Sequence, residues 1–303
     1  MNNRLISKIK TALRLAANKT KLSRHINYIG HINLTSNYFA VPLGGCAQGL
    51  ENLLLLQPSF KTDLLRIAES VANTHCFIDI GANTGQTMLE YFSYKRNGSY
   101  YGFEPNPNAY FLLQELKKLN SLNAHLMPWG CSDNNQPNTL YILSDLDSSA
   151  TVDKQLRPDQ QRTPLHVAEY TFDSIAQDSA LPANFIAKID VEGAEINVLR
   201  GMFFSLKTHR PLILCEVLHA HSQQKIDSNN KNKYAIENIL TQFQYGLYAC
   251  VLDRENRLSK LQKIKQFPRN LLYEKAPNSV DFIFCPVELE DKLMHACGHT
   301  KTL

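Results

Sequence analysis

Five carboxylate positions along the middle of the chain carry the first chemical signal. Asp79, Glu104, Asp133, the pair Asp190 and Glu192, and Glu216 each lie at or just past the end of a segment that reads as a strand. In an open α/β sheet, ligands bind beyond the carboxyl ends of the strands, near the point where strand order reverses. A single surface carboxylate means little. Five strand ends bearing one predict an acidic cleft, and such a cleft suits a cationic ligand.

The sharpest of these positions is Phe77-Ile-Asp-Ile-Gly-Ala-Asn-Thr-Gly85, followed nineteen residues later by Glu104 in Tyr-Gly-Phe-Glu-Pro. The run reads as a strand, a glycine turn at Gly81 to Gly85, a helix carrying Met88, Leu89 and Phe92, and a second strand ending in a carboxylate. A carboxylate there can bridge the two hydroxyls of a ribose. Gly81 and Gly85 form G-x-x-x-G, and not the G-x-G-x-x-G that brings backbone amides to a pyrophosphate; G-x-x-x-x-G-K-[ST] is absent too. Asp79 beside the turn repels phosphate and attracts an ammonium group. A ribose, an ammonium and no phosphate describe S-adenosylmethionine better than NAD or ATP.

A second motif is Ala187-Lys-Ile-Asp-Val-Glu-Gly-Ala-Glu195. Alternate residues of a strand share a face, so Asp190 and Glu192 are expected to point into one cleft, one toward the cofactor and one toward an acceptor. Glu195 fits the start of a helix, where a carboxylate is favoured by the helix dipole. An acceptor hydroxyl must lose a proton, and the candidates for taking it are Glu192, Glu216, and the histidines of Leu-His-Ala-His221, with His219 the best imidazole. His219 and His221 with Glu216 or Asp190 are also the only combination suggestive of a divalent cation. An H-x-H pair without a third ligand is weak, so no metal is expected.

These residues need a scaffold. Strands are expected at about 76–80, 99–103, 123–129, 184–190, 211–217, 245–252 and 280–285, with helices in most gaps, including one from about 194 to 206. Alternation of this kind predicts a mostly parallel sheet with helices on both faces. Residues 138–170 read less regularly, with an extra strand at Thr139 to Leu143 and a polar loop around Asp159. The chain divides into an N-terminal extension, residues 1–60, and a catalytic domain, residues 61–303.

Composition sets limits. The chain has 303 residues, 44% hydrophobic, enough for one large core or two small ones. No apolar run approaches the ~18 residues of a membrane span. Seven scattered cysteines without C-x-x-C pairs read as small buried hydrophobes in a reducing cytosol, which places the chain in the cytoplasm. The formal charge of +4 is uneven: residues 1–50 hold seven Lys or Arg and no acid, leaving −3 on the rest. Arg4 to Arg24 interleaves these cations with leucine and isoleucine. That pattern is compatible with peripheral contact of residues 1–25 with the inner membrane surface, with a helix packed on the domain, or with a solvated arm. A second basic stretch, 254–270, is expected to overhang the cleft and meet an anionic or lipid-linked glycan, or to form a solvated face. Nucleic acid is not expected as a partner, because no Asn-Pro-Pro-Tyr or Asp-Pro-Pro-Tyr motif for stacking a base is present. A non-catalytic binding module on the same fold is the alternative from a different class.

Over about residues 75–220 the chain resembles the FkbM-type methyltransferases. The resemblance rests on 77–85, Phe-Glu-Pro-Asn-Pro (103–107), Gly-Cys-Ser-Asp (130–133), Thr-Phe-Asp (171–173), 188–195, Leu-Arg-Gly (199–201) and Pro-Leu-Ile-Leu-Cys-Glu (211–216). It implies a Rossmann-like class I methyltransferase fold with a seven-stranded mostly parallel sheet, and S-adenosyl-L-methionine as cofactor. It further implies that Asp79, Gly81, Asn83 and Gly85, with Ala82 between them, line the methionine and ribose portion. Glu104, followed by Pro105, would bind the ribose hydroxyls, and Ser132 and Asp133 would lie by the adenine. The implied reaction is O-methylation of a hydroxyl on a sugar or secondary metabolite.

Overall fold

The computed structural model of the protein describes residues 29–35, 37–42, 60–157, 159–178, 181–255, 257–275 and 280–298. The basic segment Arg4 to Arg24 lies outside the described residues. The chain opens with a hairpin of β1 (Ile29–Leu34) and β2 (Asn37–Pro42), then α1 (Phe60–Ala72), β3 (Cys76–Ile80), α2 (Gln86–Tyr94) and β4 (Ser99–Phe103). There follow α3 (Pro107–Asn120), β5 (Ala124–Met127), β6 (Gly130–Cys131), β7 (Pro137–Ile142), β8 (Thr163–Tyr170) and α4 (Phe172–Asp178). The second half holds β9 (Ile186–Ile189), α5 (Glu195–Arg200), α6 (Phe203–Thr208), β10 (Leu212–Glu216) and α7 (Ile226–Gln242). It ends with β11 (Tyr245–Leu252), β12 (Leu258–Ile264), β13 (Asp281–Pro286) and α8 (Glu290–Gly298).

The main sheet has the order β12-β11-β13-β10-β9-β3-β4-β5, parallel from β10 through β5 and antiparallel among β10, β13, β11 and β12. Strand β3 lies between β4 and β9, so the order reverses there and the cleft must open at that point. Alternation along β3 splits the core. Phe77 packs with α1, α2, α3 and the hairpin, whereas Ile78 and Ile80 pack with α4 to α7. Leu64, Leu65, Ile67, Ala68 and Val71 give α1 one apolar stripe, all of it buried. Asn106 caps α3, its side chain accepting from the Asn108 amide at 3.1 Å, and Pro107 fits the first turn where no amide donor is needed.

The sheet has eight strands, where seven are expected. The added one, β12, lies within the basic stretch and pairs antiparallel with β11 at the sheet edge. Lys263 bonds Glu290 at 2.7 Å, and Arg269 pairs with Glu237 and stacks on Tyr234. Residues 258–264 therefore cover an edge and do not overhang the cleft. Strand β8, also unforeseen, pairs with β6 and β7 in a small separate sheet; the buried Glu169 and the exposed Ala168 and Tyr170 break its apolar alternation. The helix expected over 194–206 is two helices. It breaks at Gly201, where a Cβ would lie 2.0 Å from the Ser132 carbonyl oxygen, and Asp173 receives the amides of Phe204 and Ser205 at 2.7 and 3.0 Å.

Candidate active site

A cleft of about 270 Å³ opens at the carboxyl ends of β3, β4, β9 and β10. Its floor is the turn after β3. Gly81 has φ +88°, and a Cβ there would come within 1.9 Å of the Asp190 carbonyl oxygen. Only glycine permits that approach of two strand ends. The amides of Gly81 and Ala82 both donate to the Phe103 carbonyl at 3.0 Å. Asn83 sits in the left-handed region at φ 46°, its side-chain oxygen accepting from the Thr84 amide at 2.7 Å, and Gly85 caps α2 at φ +89°.

Glu104 faces this turn from the end of β4. Its two oxygens accept from the backbone amides of Asn83 (2.7 Å) and Asn106 (2.8 Å), which fixes the carboxyl plane and leaves each oxygen a further lone pair. Burial outweighs those bonds and raises its pKa to about 7. Ala82, Asn83, Glu104 and Pro105 all line the cleft, as expected. The arrangement suits a ribose, whose hydroxyls would donate to it: a fixed acceptor pair at the strand end beside a glycine turn.

Asp79 is placed differently. It is fully buried beneath the cleft, where the Tyr100 hydroxyl donates at 2.5 Å and Lys188 approaches at 3.2 Å. The register sets Asp79 beside Lys188 on β9 and Gly102 on β4, and the missing side chain at 102 lets the Tyr100 hydroxyl reach it. Desolvation raises its pKa, opposed by the adjacent ammonium. The expected direct attraction of a ligand ammonium by Asp79 therefore gives way to an internal ion pair.

Asp190, Glu192 and Glu216 do converge on the cleft. Strand alternation is not the reason, because β9 ends at Ile189 and residues 192 and 193 turn the chain at φ 53° and 102°. Asp190 is held by Lys188 at 3.2 Å and Lys61 at 3.7 Å, which depress its pKa. Burial and the Asp190 charge push the Glu216 pKa up, and the Lys61 ammonium 3.5 Å away opposes them. Glu192 is engaged by Arg157 at 2.5 Å, and its carbonyl accepts from Thr151 at 2.7 Å. These bonds tie the turn to the 143–162 excursion, whose Ser148, Ala150 and Val152 roof the cleft. Asp147 organises that roof by accepting from the Leu143 and Ser149 amides and pairing with the buried Arg162 at 3.0 Å.

Gly85 turns toward Leu116 and Leu113 and does not line the cleft, and four further expected residues, Ser132, Asp133, His219 and His221, lie elsewhere. Gly130 and Cys131 reach the cleft in place of Ser132 and Asp133. Pairing of β6 with β8 carries Ser132 inward, its amide donating to Tyr170 at 2.9 Å, and leaves Asp133 outside at 3.9 Å from Arg200. His219 is buried away from the cleft, Nδ1 lying 3.0 Å from the Lys233 ammonium; burial and that cation hold its pKa down to about 4. His221 stacks on Tyr273. Neither imidazole is a base for the cleft. Among the described residues no group of three or more His, Cys, Asp or Glu side chains is placed to hold a metal ion. No helix among them is long and apolar enough to cross a membrane.

The sequence reading missed Lys61, Lys188 and Arg157. Only Lys188 had a local signal, a lysine inside an otherwise apolar strand. Lys61 and Arg157 reach the carboxylates across 129 and 35 residues of chain, measured to Asp190 and Glu192.

Residues 79–249 match the Methyltransferase FkbM domain. No curated protein sequence matches the chain. Among solved structures, the chain is similar to methyltransferase FkbM from Methylobacillus flagellatus KT, at 15% identity over 70% of this chain and 44% of that one, TM-score 0.40. It is also similar to precorrin-6y C5,15-methyltransferase from Geobacter metallireducens GS-15, at 14% identity over 73% and 86% of the two chains, TM-score 0.34. A third is TYW2 from M. jannaschii in complex with AdoMet, at 12% identity over 86% and 85%, TM-score 0.37. The chain spans less than half the length of the first of these proteins. With more than half of its residues matched to the domain, and a glycine turn and buried strand-end carboxylate that fit S-adenosylmethionine, the chain belongs to the FkbM methyltransferases, whose cofactor is S-adenosylmethionine.

Proposed function

We propose that this methyltransferase methylates a hydroxyl oxygen of a sugar or secondary metabolite, with Glu216 taking the hydroxyl proton. The observation that carries this reading is the environment of Glu216, a cleft-lining carboxylate whose burial beside Asp190 makes it a stronger base than a solvated one. Bound in the cleft, S-adenosylmethionine supplies a methyl group on a sulfonium. Glu216 would take the proton that the acceptor hydroxyl releases on methylation. Glu104 would hold the ribose, the turn from Gly81 to Thr84 would take the methionine portion, and Gly130 and Cys131 would border the adenine. Glu192, bound to Arg157, holds the roof that keeps water out. Residues 61–303 form the catalytic domain in this reading, and 1–60 an extension.

Labelled methyl transfer tests it, using purified protein with glycan and lipid fractions and simple polyols as acceptors. The expected product is an alkali-stable methyl ether. Glu216→Gln is expected to keep cofactor affinity in calorimetry while transfer falls by about 100-fold or more. Transfer to nitrogen, or an undiminished rate in Glu216→Gln, would overturn the proposal.

Glu104 gives a pH signature. Its carboxylate form accepts the ribose hydroxyls, and its pKa lies at about 7, above the ordinary value. Protons therefore compete with the cofactor. Affinity is expected to be weakest below pH 7 and to rise as pH passes through about 7. Calorimetric titration of wild type and Glu104→Gln between mildly acidic and mildly basic pH checks this, and the slope should vanish in the variant.

A further inference from the structure

Resting on the reading of Glu216 as the base, we infer that Lys61, outside every motif of the methyltransferase core, is a positioning residue that sets the proton affinity of that base. Lys61 is the second residue of α1, and the buried stripe of α1 anchors it over the sheet. Its ammonium lies 3.5 Å from Glu216, 3.7 Å from Asp190 and 3.8 Å from Asp281. Those three carboxylates come from β10, the turn after β9 and the start of β13, and Lys61 also lines the cleft. One cation thus closes a cluster that the antiparallel pairing of Glu216 with Asp281 would otherwise make purely acidic on that side.

The groups facing Glu216 and its neighbours can be named from each element. Asp190 and Glu192 follow β9, Lys188 belongs to β9, Asp281 begins β13, Cys215 precedes Glu216 on β10, and Glu90 reaches Lys61 from α2. Of these, Asp190, Asp281 and Glu192 raise the proton affinity of Glu216, and Lys61 lowers it. The consequence has a definite sign. Without Lys61, Glu216 must hold its proton to higher pH and fail as a base where the wild type works.

The test does not require the natural acceptor. Full-length protein labelled with carboxyl-¹³C glutamate and saturated with S-adenosylhomocysteine is titrated by NMR, the Glu216 signal being the one lost in Glu216→Gln. In Lys61→Met the Glu216 midpoint is expected to rise by about one pH unit or more, and Lys61→Arg should restore it. Asp281→Asn, which removes a negative charge from the other side, should move the midpoint down; it keeps the test decisive if Lys61→Met does not fold. An unmoved midpoint in a folded Lys61→Met protein, or an upward or absent shift in Asp281→Asn, overturns the inference. Failure of the underlying reading looks different: the midpoints move as expected while Glu216→Gln still transfers methyl groups at the wild-type rate.

Discussion

Gly81→Ala is expected to destabilise the protein by about 4 kcal/mol or more and to abolish S-adenosylmethionine binding. Two independent costs combine. The residue has φ +88°, a region in which an L side chain is strained, and the added Cβ would lie 1.9 Å from the carbonyl oxygen of Asp190. That oxygen belongs to backbone, so no rotamer change relieves the overlap. The β3 turn and the β9 turn must separate, and doing so strains the hydrogen bonds from the Asp190 amide to the Ile80 carbonyl and from the Gly81 and Ala82 amides to the Phe103 carbonyl, each 3.0 Å. The same movement displaces Asn83 from Glu104. Gly85→Ala provides the contrast: its φ is also unfavourable, but its Cβ would meet the end of the Leu116 side chain at 2.9 Å, which can give way. Chemical denaturation and cofactor calorimetry on both variants check the order, and a Gly85→Ala cost equal to or larger than that of Gly81→Ala would contradict it.

Lys188→Met should cost about 3–5 kcal/mol, because it leaves Asp79 buried without its cation. Asp79 is fully buried and its remaining side-chain partner is the Tyr100 hydroxyl. The cost has a pH dependence. Burial already raises the Asp79 pKa, and without Lys188 it rises further, so the variant's native state binds a proton that its unfolded state releases. Its relative stability is best below the ordinary carboxylate range and declines as pH climbs toward the raised value. The double variant Asp79→Asn with Lys188→Met removes both charges and should recover much of the loss, a non-additivity expected of a buried pair. Denaturation of the two single variants and the double variant at several pH values measures this; single-variant costs that simply add would refute the pairing.

The contrast between these residues explains what could be read without coordinates. The β3–α2–β4 unit was legible because its signals are local: an apolar run, glycines where the chain turns, and a carboxylate at the next strand end. Glu104 was assigned correctly to the cleft wall for that reason. Asp79 has equally local signals but a non-local fate, since whether it faces a ligand or an ammonium depends on Lys188, which lies 109 residues later. Strand β12 escaped notice because its apolar residues, Leu258, Leu261 and Ile264, recur every third position and give no period of two, and an edge strand needs only one apolar neighbour. His219 looked like a base because histidine types suit that chemistry; burial against Lys233 removes it.

From sequence alone follow the α/β class, the glycine turn, the cleft-wall carboxylate Glu104 and the exclusion of a phosphate-binding loop, because each depends on neighbours within a few residues or on one strand's period. Tertiary structure decided which carboxylates reach the cleft and in what state. Asp190, Glu192 and Glu216 face it and Asp79 and Asp133 do not, and their proton affinities follow from Lys61, Arg157 and Lys188. Burial and Coulomb energy depend on distance through space, and strand register and helix packing set those distances between residues remote in the chain.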